Sequence, residues 1–324
     1  MYHAAITTFR TLLPGDMITL TPETLEQTLN ILLSIPHYKE LDRDGLSREI
    51  QSLYNIRSEP FAVLEDRNVP WLPDRKADIT WSFWNRYRTY LESKDFAPEP
   101  LLQLDRLTDA ILDRLFDPSI EGMIAKKRGL VVGQVQSGKT SNYTGLICKA
   151  ADAGYKLIVV LAGLHNNLRS QTQLRLDEGF LGRDTITERI YRENGKPFGA
   201  GFIKVAKKLV AHSLTSSKET GDFRIATAAQ GTSFDTDEPI LLVVKKNVSV
   251  LARLHEWLEV NAAPDPETGL PIIDSKSLLL IDDEADHASP NTSGDIDNAT
   301  RTNRQIRGLL RLFRMGSFHG LNAQ

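Results

Sequence analysis

The sequence predicts an α/β protein: a parallel sheet covered by helices, preceded by an all-helical region. Three observations predict it. After residue 128, short continuously apolar runs ("GLVVG", "KLIVVLAG", "PILLVVK" and "SLLLID") each stand before a helical stretch. Strands apolar on both faces, each followed by a helix, mark a parallel sheet buried on both sides. Before residue 120 the apolar residues recur instead at helical spacing. A length of 324 residues suits about two domains. We therefore expect a helical domain over 1–120 and an α/β domain over 121–324.

In the first region, "LTPETLEQTLNILLSI" opens on Thr21 as N-cap with Pro22 at the first helical position, and aligns Leu25, Leu29, Leu32 and Leu33. "DITWSFWNRYRTYL" places Trp81, Trp84, Tyr87 and Leu91 on one stripe, with arginines opposite. That spacing predicts a core stripe; Trp81, Trp84, Tyr87 and Tyr90 as a base-stacking platform is the other reading. "PLLQLDRLTDAILDRLF" repeats the period through Leu104, Leu107, Ile111 and Leu115, after the proline-containing link "FAPEP". "DPSIEG" closes the region. In the second region, residues 182–238 are polar and turn-rich and read as an insertion on the α/β core.

Composition excludes several classes. The chain is 41% hydrophobic and 25% charged with no low-complexity tract. Its single cysteine, Cys148, forbids an internal disulfide and points to a reducing, cytoplasmic setting. "MYHAAITTFRTLL" lacks the basic start and long apolar core of a signal peptide. No apolar run approaches the ~20 residues that cross a bilayer, so no membrane partner is expected. A net charge of −3 leaves nucleic acid open, since a local basic groove can coexist with it.

The chemistry concentrates in two places. Gly133-Gln134-Val135-Gln136-Ser137-Gly138-Lys139-Thr140 matches G-x-x-x-x-G-K-[ST] between a buried strand and a helix. The glycines let backbone N–H groups face an anion at a helix N-terminus. Gly133, Gln136, Ser137, Gly138, Lys139, Thr140 and Ser141 are the candidate nucleotide contacts. Lys139 reaches the outer phosphates, and the Thr140 hydroxyl ligates Mg²⁺. The second place is "SLLLIDDEADHAS", where Asp282, Asp283, Glu284 and Asp286 follow an apolar strand at its carboxyl end. Ligands of parallel sheets bind at that end. Asp283 is the favoured Mg²⁺ carboxylate, with Asp282 as the alternative, and Glu284 is the candidate general base. The cofactors expected are ATP and Mg²⁺.

"GQVQSGKT" followed by "DEAD" resembles motifs I and II of superfamily 2 helicases, which have RecA-like P-loop lobes. The closer resemblance is to the Z1 domain family, helicase-like proteins named as endonucleases and linked to bacterial restriction and defence loci. It rests on "RGLVVGQVQSGKTSNYTGLICKAADAGYK", "LAGLHNNLRSQTQLRLDEGF", "VVKKNVSVLARLHEWL" and "LLLIDDEADHAS", and more loosely on "WSFWNRYRTYL". The resemblance implies an ATP-driven motor lobe of a DNA-dependent ATPase. Its partners would be DNA and a second RecA-like lobe or other defence-system subunits. It also implies that the turn and helix after the second strand touch a nucleic-acid backbone, making Asn166, Asn167, Arg169, Ser170 and Gln171 candidates. Lys245 and Lys246 close another buried strand and join them. Lys126, Lys127 and Arg128 precede the first strand and serve either the ligand or a solvated helix end.

A nuclease centre is not legible. Pro264-Asp265 followed by Asp274-Ser275-Lys276 imitates PD…(D/E)xK in a polar loop, a pattern common by chance. The histidines lack metal-ligand spacing, and one cysteine builds no zinc site. The family would continue after the Asp-Glu-Ala-Asp strand into a strand ending in a Ser/Thr-Ala-Thr-like motif, then a second lobe with arginine fingers. In the related P-loop class that uses a catalytic glutamate, that strand lies between the phosphate-loop and carboxylate strands. "TRTNRQIRGLLRLFR" and "MGSFHGLNAQ" offer no such motif. We therefore expect a gap of two interstrand spacings, ~10 Å, in mid-sheet, and a fragment or half-assembly with weak turnover. The competing readings are a nucleotide-controlled switch without translocation and an inactive remnant.

Overall fold

The computed structural model describes residues 2–13, 22–43, 45–47, 50, 69–94, 96, 98–120, 122–133, 139–186, 196–229, 233–283 and 301–323. Its centre is a sheet of strands β1 (Ala125–Gly133), β2 (Leu157–Ala162), β3 (His212–Ser213), β4 (Ile240–Val244), β7 (Leu278–Asp283) and β8 (Met315–Ala323). The order is β1-β8-β7-β2-β4-β3, and every pairing is parallel. A separate antiparallel pair joins β5 (Ala263–Pro264) to β6 (Pro271–Ile272). The α/β prediction is met.

The strands alternate between two cores. Ile158, Val160, Leu241, Val243, Leu279 and Ile281 face one side. Leu157, Val159, Leu242, Val244, Leu278 and Leu280 face the other. Burying each such side chain stabilises by roughly 1.5–3 kcal/mol. That continuous burial is why these runs are apolar without alternation. The first side is covered by α6 (Lys139–Ala153), and the second by α9 (Val248–Val260) and α10 (Arg301–Arg311).

Residue 120 is not a boundary of packing. Helices α3 (Leu72–Arg75), α4 (Ser82–Ser93) and α5 (Pro98–Leu112) place Leu72, Phe83, Trp84, Tyr87, Leu104 and Ile111 in the same core as Leu146 and Ile147 of α6. The Asp152 carboxylate on α6 accepts the N–H groups of Phe83 and Trp84, each at 2.9 Å. It thereby satisfies donors that the first turn of α4 leaves unpaired. Lys149, fully buried, holds Asp105 at 2.5 Å and Asp109 at 2.6 Å, with its ammonium 4.5 Å from the Trp84 ring centre. The aromatic stripe is therefore core, with Trp84, Tyr87 and Tyr90 buried. One arginine departs from its expected exposed side: Arg86 is buried and donates to the Phe180 carbonyl. Helices α1 (Tyr2–Leu12) and α2 (Pro22–Ser34) have a core of their own, where Phe9, Leu25, Leu29 and Leu32 meet Leu46 and Ile50. Thr21 lies outside the described residues.

The segment 182–238 is more than a surface insertion. It supplies β3 at the sheet edge and short helix α8 (Ile225–Ala229), and it buries Leu214, Phe223 and Phe234. A polar network ties it to α7 (Asn166–Leu176) and the π-helical turn Asp177–Leu181 that follows. Gln173 donates to Asp177 at 2.9 Å, the Ser217 hydroxyl donates to Asp177 at 3.1 Å, and Thr215 donates to Gln173 at 2.6 Å.

The expected mid-sheet gap does not exist. Residues 315–323 form β8 and fill it, pairing Met315–Ala323 with Ala125–Gly133 on one side and Gly316–Leu321 with Leu278–Asp283 on the other. "MGSFHGLNA" has weak strand propensity, and two flanking strands override it.

Candidate functional site

The carboxyl ends of the strands converge where β1 ends at Gly133 and α6 begins at Lys139. Of the loop residues, Gln136, Ser137 and Gly138 lie outside the described residues, as do Glu284 and Asp286. Thr140 and Ser141, in the first turn of α6, are half-buried. Asp283 is the last residue of β7 and pairs with Leu321 of β8, which in turn pairs with Val131 of β1. Two interstrand spacings, ~10 Å, thus separate β7 from β1 at one level of the sheet.

Side-chain alternation sends the two aspartates to opposite faces of the sheet. Asp283 follows the parity of Leu279 and Ile281 and faces the side of α6; Asp282 follows Leu278 and Leu280 and faces away. Tyr143 reports the same neighbourhood. Burial pushes its hydroxyl well above the usual tyrosine range, and the Asp283 charge adds to that. Thr140 and Thr172 act on it in the opposite direction. Thr140 and Asp283 therefore stand around one buried tyrosine.

The donor set fits Mg²⁺. Among the described residues no group of three His, Cys, Asp or Glu side chains is placed to hold a metal. Nucleotide-bound Mg²⁺ needs no such group, taking one or two hard oxygen ligands from protein and the rest from phosphates and water. A threonine hydroxyl and a half-buried carboxylate meet that description.

Asp282 has another partner. Its side chain and that of Lys246 are both fully buried and 2.5 Å apart. Lys246 therefore leaves the nucleic-acid set, because no part of its side chain reaches the surface. Arg169 leaves it too. It is fully buried, donating to the Ser216 carbonyl at 2.9 Å and to the Lys218 carbonyl, so it fastens the loop after β3. Ser170 does likewise, donating to Ser217 at 2.6 Å. Asn166, Asn167 and Gln171 are exposed on α7, and Lys245 is half-buried near Asp222.

The PD…(D/E)xK imitation has a structural role. Arg314 pairs with Asp265 at 3.0 Å and with Asp274 at 3.1 Å, while Lys276 turns to the Thr236 carbonyl at 2.5 Å.

Sequence reasoning missed Tyr143, Thr172 and the Lys246–Asp282 pair. Tyr143 lies three residues after Thr140, on the same helix face. That spacing was a usable signal. No protein-family model and no curated protein matches the chain. Among the described residues no helix is long and apolar enough to cross a membrane.

Proposed function

We propose that the chain is an ATP-binding, RecA-like P-loop motor lobe of a DNA-dependent ATPase, of the helicase-like Z1 type associated with bacterial restriction or defence. One observation carries this reading: β8 lies between the phosphate-loop strand and the carboxylate strand, with Asp283 on the side of α6. An intervening strand of that kind is the expected arrangement of the P-loop class that uses a glutamate base.

In this reading Gly133, Gln136, Ser137 and Gly138 bring backbone N–H groups to the phosphates, and Lys139 reaches the outermost ones. Thr140 and Asp283 would hold Mg²⁺, which when bound neutralises charge developing on the β- and γ-oxygens. Glu284 follows Asp283 directly and would orient the attacking water and accept its proton. Asn166, Asn167, Gln171 and Lys245 are the remaining candidates for a DNA backbone. Arginine from a second lobe contributes ~10³–10⁵ in related phosphoryl-transfer enzymes, so turnover by this chain alone is expected to be slow.

The test is binding of a fluorescent ATP analogue with Mg²⁺, beside DNA-stimulated hydrolysis. Lys139→Ala should abolish the binding. Equal affinity in that variant would defeat the reading; nucleotide binding with no response to DNA would favour a switch over a motor.

A further inference from the structure

The carboxyl end of β7 carries two adjacent aspartates with different surroundings. Asp283 is half-buried on the α6 side, whereas Asp282 is sealed on the opposite side against Lys246. Lys246 follows β4, and the strand order sets β2 between β4 and β7. The ion pair therefore spans β2, joining strands two spacings apart, ~10 Å. Stability alone is a weak reason for such a pair. Removing two charges from water costs several kcal/mol each, and apolar residues of similar volume often serve as well or better.

Both ends of the bridge are held. The Lys246 N–H donates to the Gly163 carbonyl at 2.9 Å, two residues past the last β2–β4 pair. Next to it, Asn247 caps α9, accepting from Ser249 at 2.9 Å and Val250 at 3.3 Å. On the other end, Asp282 pairs with Leu161 and Gly320, and Asp283 next to it pairs with Ala162 and Leu321.

We propose that Lys246 and Asp282 are positioning residues that fix the end of β7, and so set the direction of the Asp283 carboxylate towards Mg²⁺. Asp282 thus acts from behind the metal carboxylate and is not itself a ligand. The proposal rests on the nucleotide reading above.

The experiment uses the full 324-residue chain with two variants, Lys246→Met/Asp282→Leu and Asp282→Asn. The first replaces both charges with apolar groups of similar size, and the second removes one charge with little change of shape. Urea melts establish folding. A fluorescent ATP analogue then measures nucleotide affinity, first without Mg²⁺ and then across a Mg²⁺ titration. The expected result is a folded double variant with unchanged Mg²⁺-free affinity that needs about 10–100-fold more Mg²⁺ for the same gain, the usual effect of losing a partner behind a metal ligand. Asp282→Asn should shift the requirement in the same direction. A wild-type Mg²⁺ requirement in either folded variant overturns the proposal, and so does loss of folding in both, which would make the pair purely structural. No Mg²⁺-dependent gain in the wild type would instead remove the nucleotide reading, and this proposal with it.

Discussion

Asp152→Asn tests whether the contact between α4 and α6 carries a buried titration. In the folded chain, burial pushes the Asp152 carboxyl up from 3.8 to about 7, against the opposing pull of backbone N–H groups from Trp84, Phe83 and Ser82. Between those values the folded state holds a proton that the unfolded state has released. Stability therefore falls as pH rises through this window, and it is fully present only below the unfolded value. At 1.36 kcal/mol per pH unit, the loss between about pH 5 and about pH 8 is ~2–3 kcal/mol. Asparagine cannot ionise, but its single carbonyl oxygen cannot reproduce both carboxylate contacts, a loss of ~1 kcal/mol at every pH. Urea unfolding followed by tryptophan fluorescence gives both curves, since Trp84 lies at the contact. The variant should gain ~2–3 kcal/mol on the wild type between the two pH values. Parallel curves would refute the reasoning.

Three further outcomes follow from the packing. Gly179→Ala would set a Cβ 2.6 Å from the Thr144 methyl and 2.9 Å from Tyr87; denaturant melts should show ~1–3 kcal/mol of destabilisation. Adding Thr144→Ser removes the colliding methyl and should recover part of it. Arg169→Lys keeps the charge but loses the fork that reaches two carbonyls, so the melting temperature should drop while the salt dependence of any DNA binding stays unchanged. Burial holds His319 down at about 4 from 6.5. Its contribution is present above the unfolded value and lost as pH falls through this window, so His319→Leu should flatten the acid limb of a stability–pH profile.

Strands β2, β4 and β7 were legible because burial on both faces forces unbroken apolar runs; β1 shares the apolar texture but lies at the sheet edge with Leu130 exposed. β8 was not legible. Its burial comes from two neighbours distant in sequence, and its glycines and histidine carry no strand signal. Helix α7 misleads for a related reason. Its buried face is Arg169, Thr172, Gln173 and Leu176, so polarity along it does not mark the outside. The Asp282–Asp283 step shows the limit at the site itself. Alternation already says that the two side chains oppose each other, but only the packing of the two cores says which side carries α6.

Among the described strands, β1 touches the sheet through β8 alone. Nearly the whole α/β stretch separates these two partners along the chain, and such distant pairings form slowly because loop closure precedes their reward. Strand β1 should accordingly be among the last to gain protection from hydrogen exchange during refolding. Under the proposed function, nucleotide-binding competence would then mark the end of folding and not its middle.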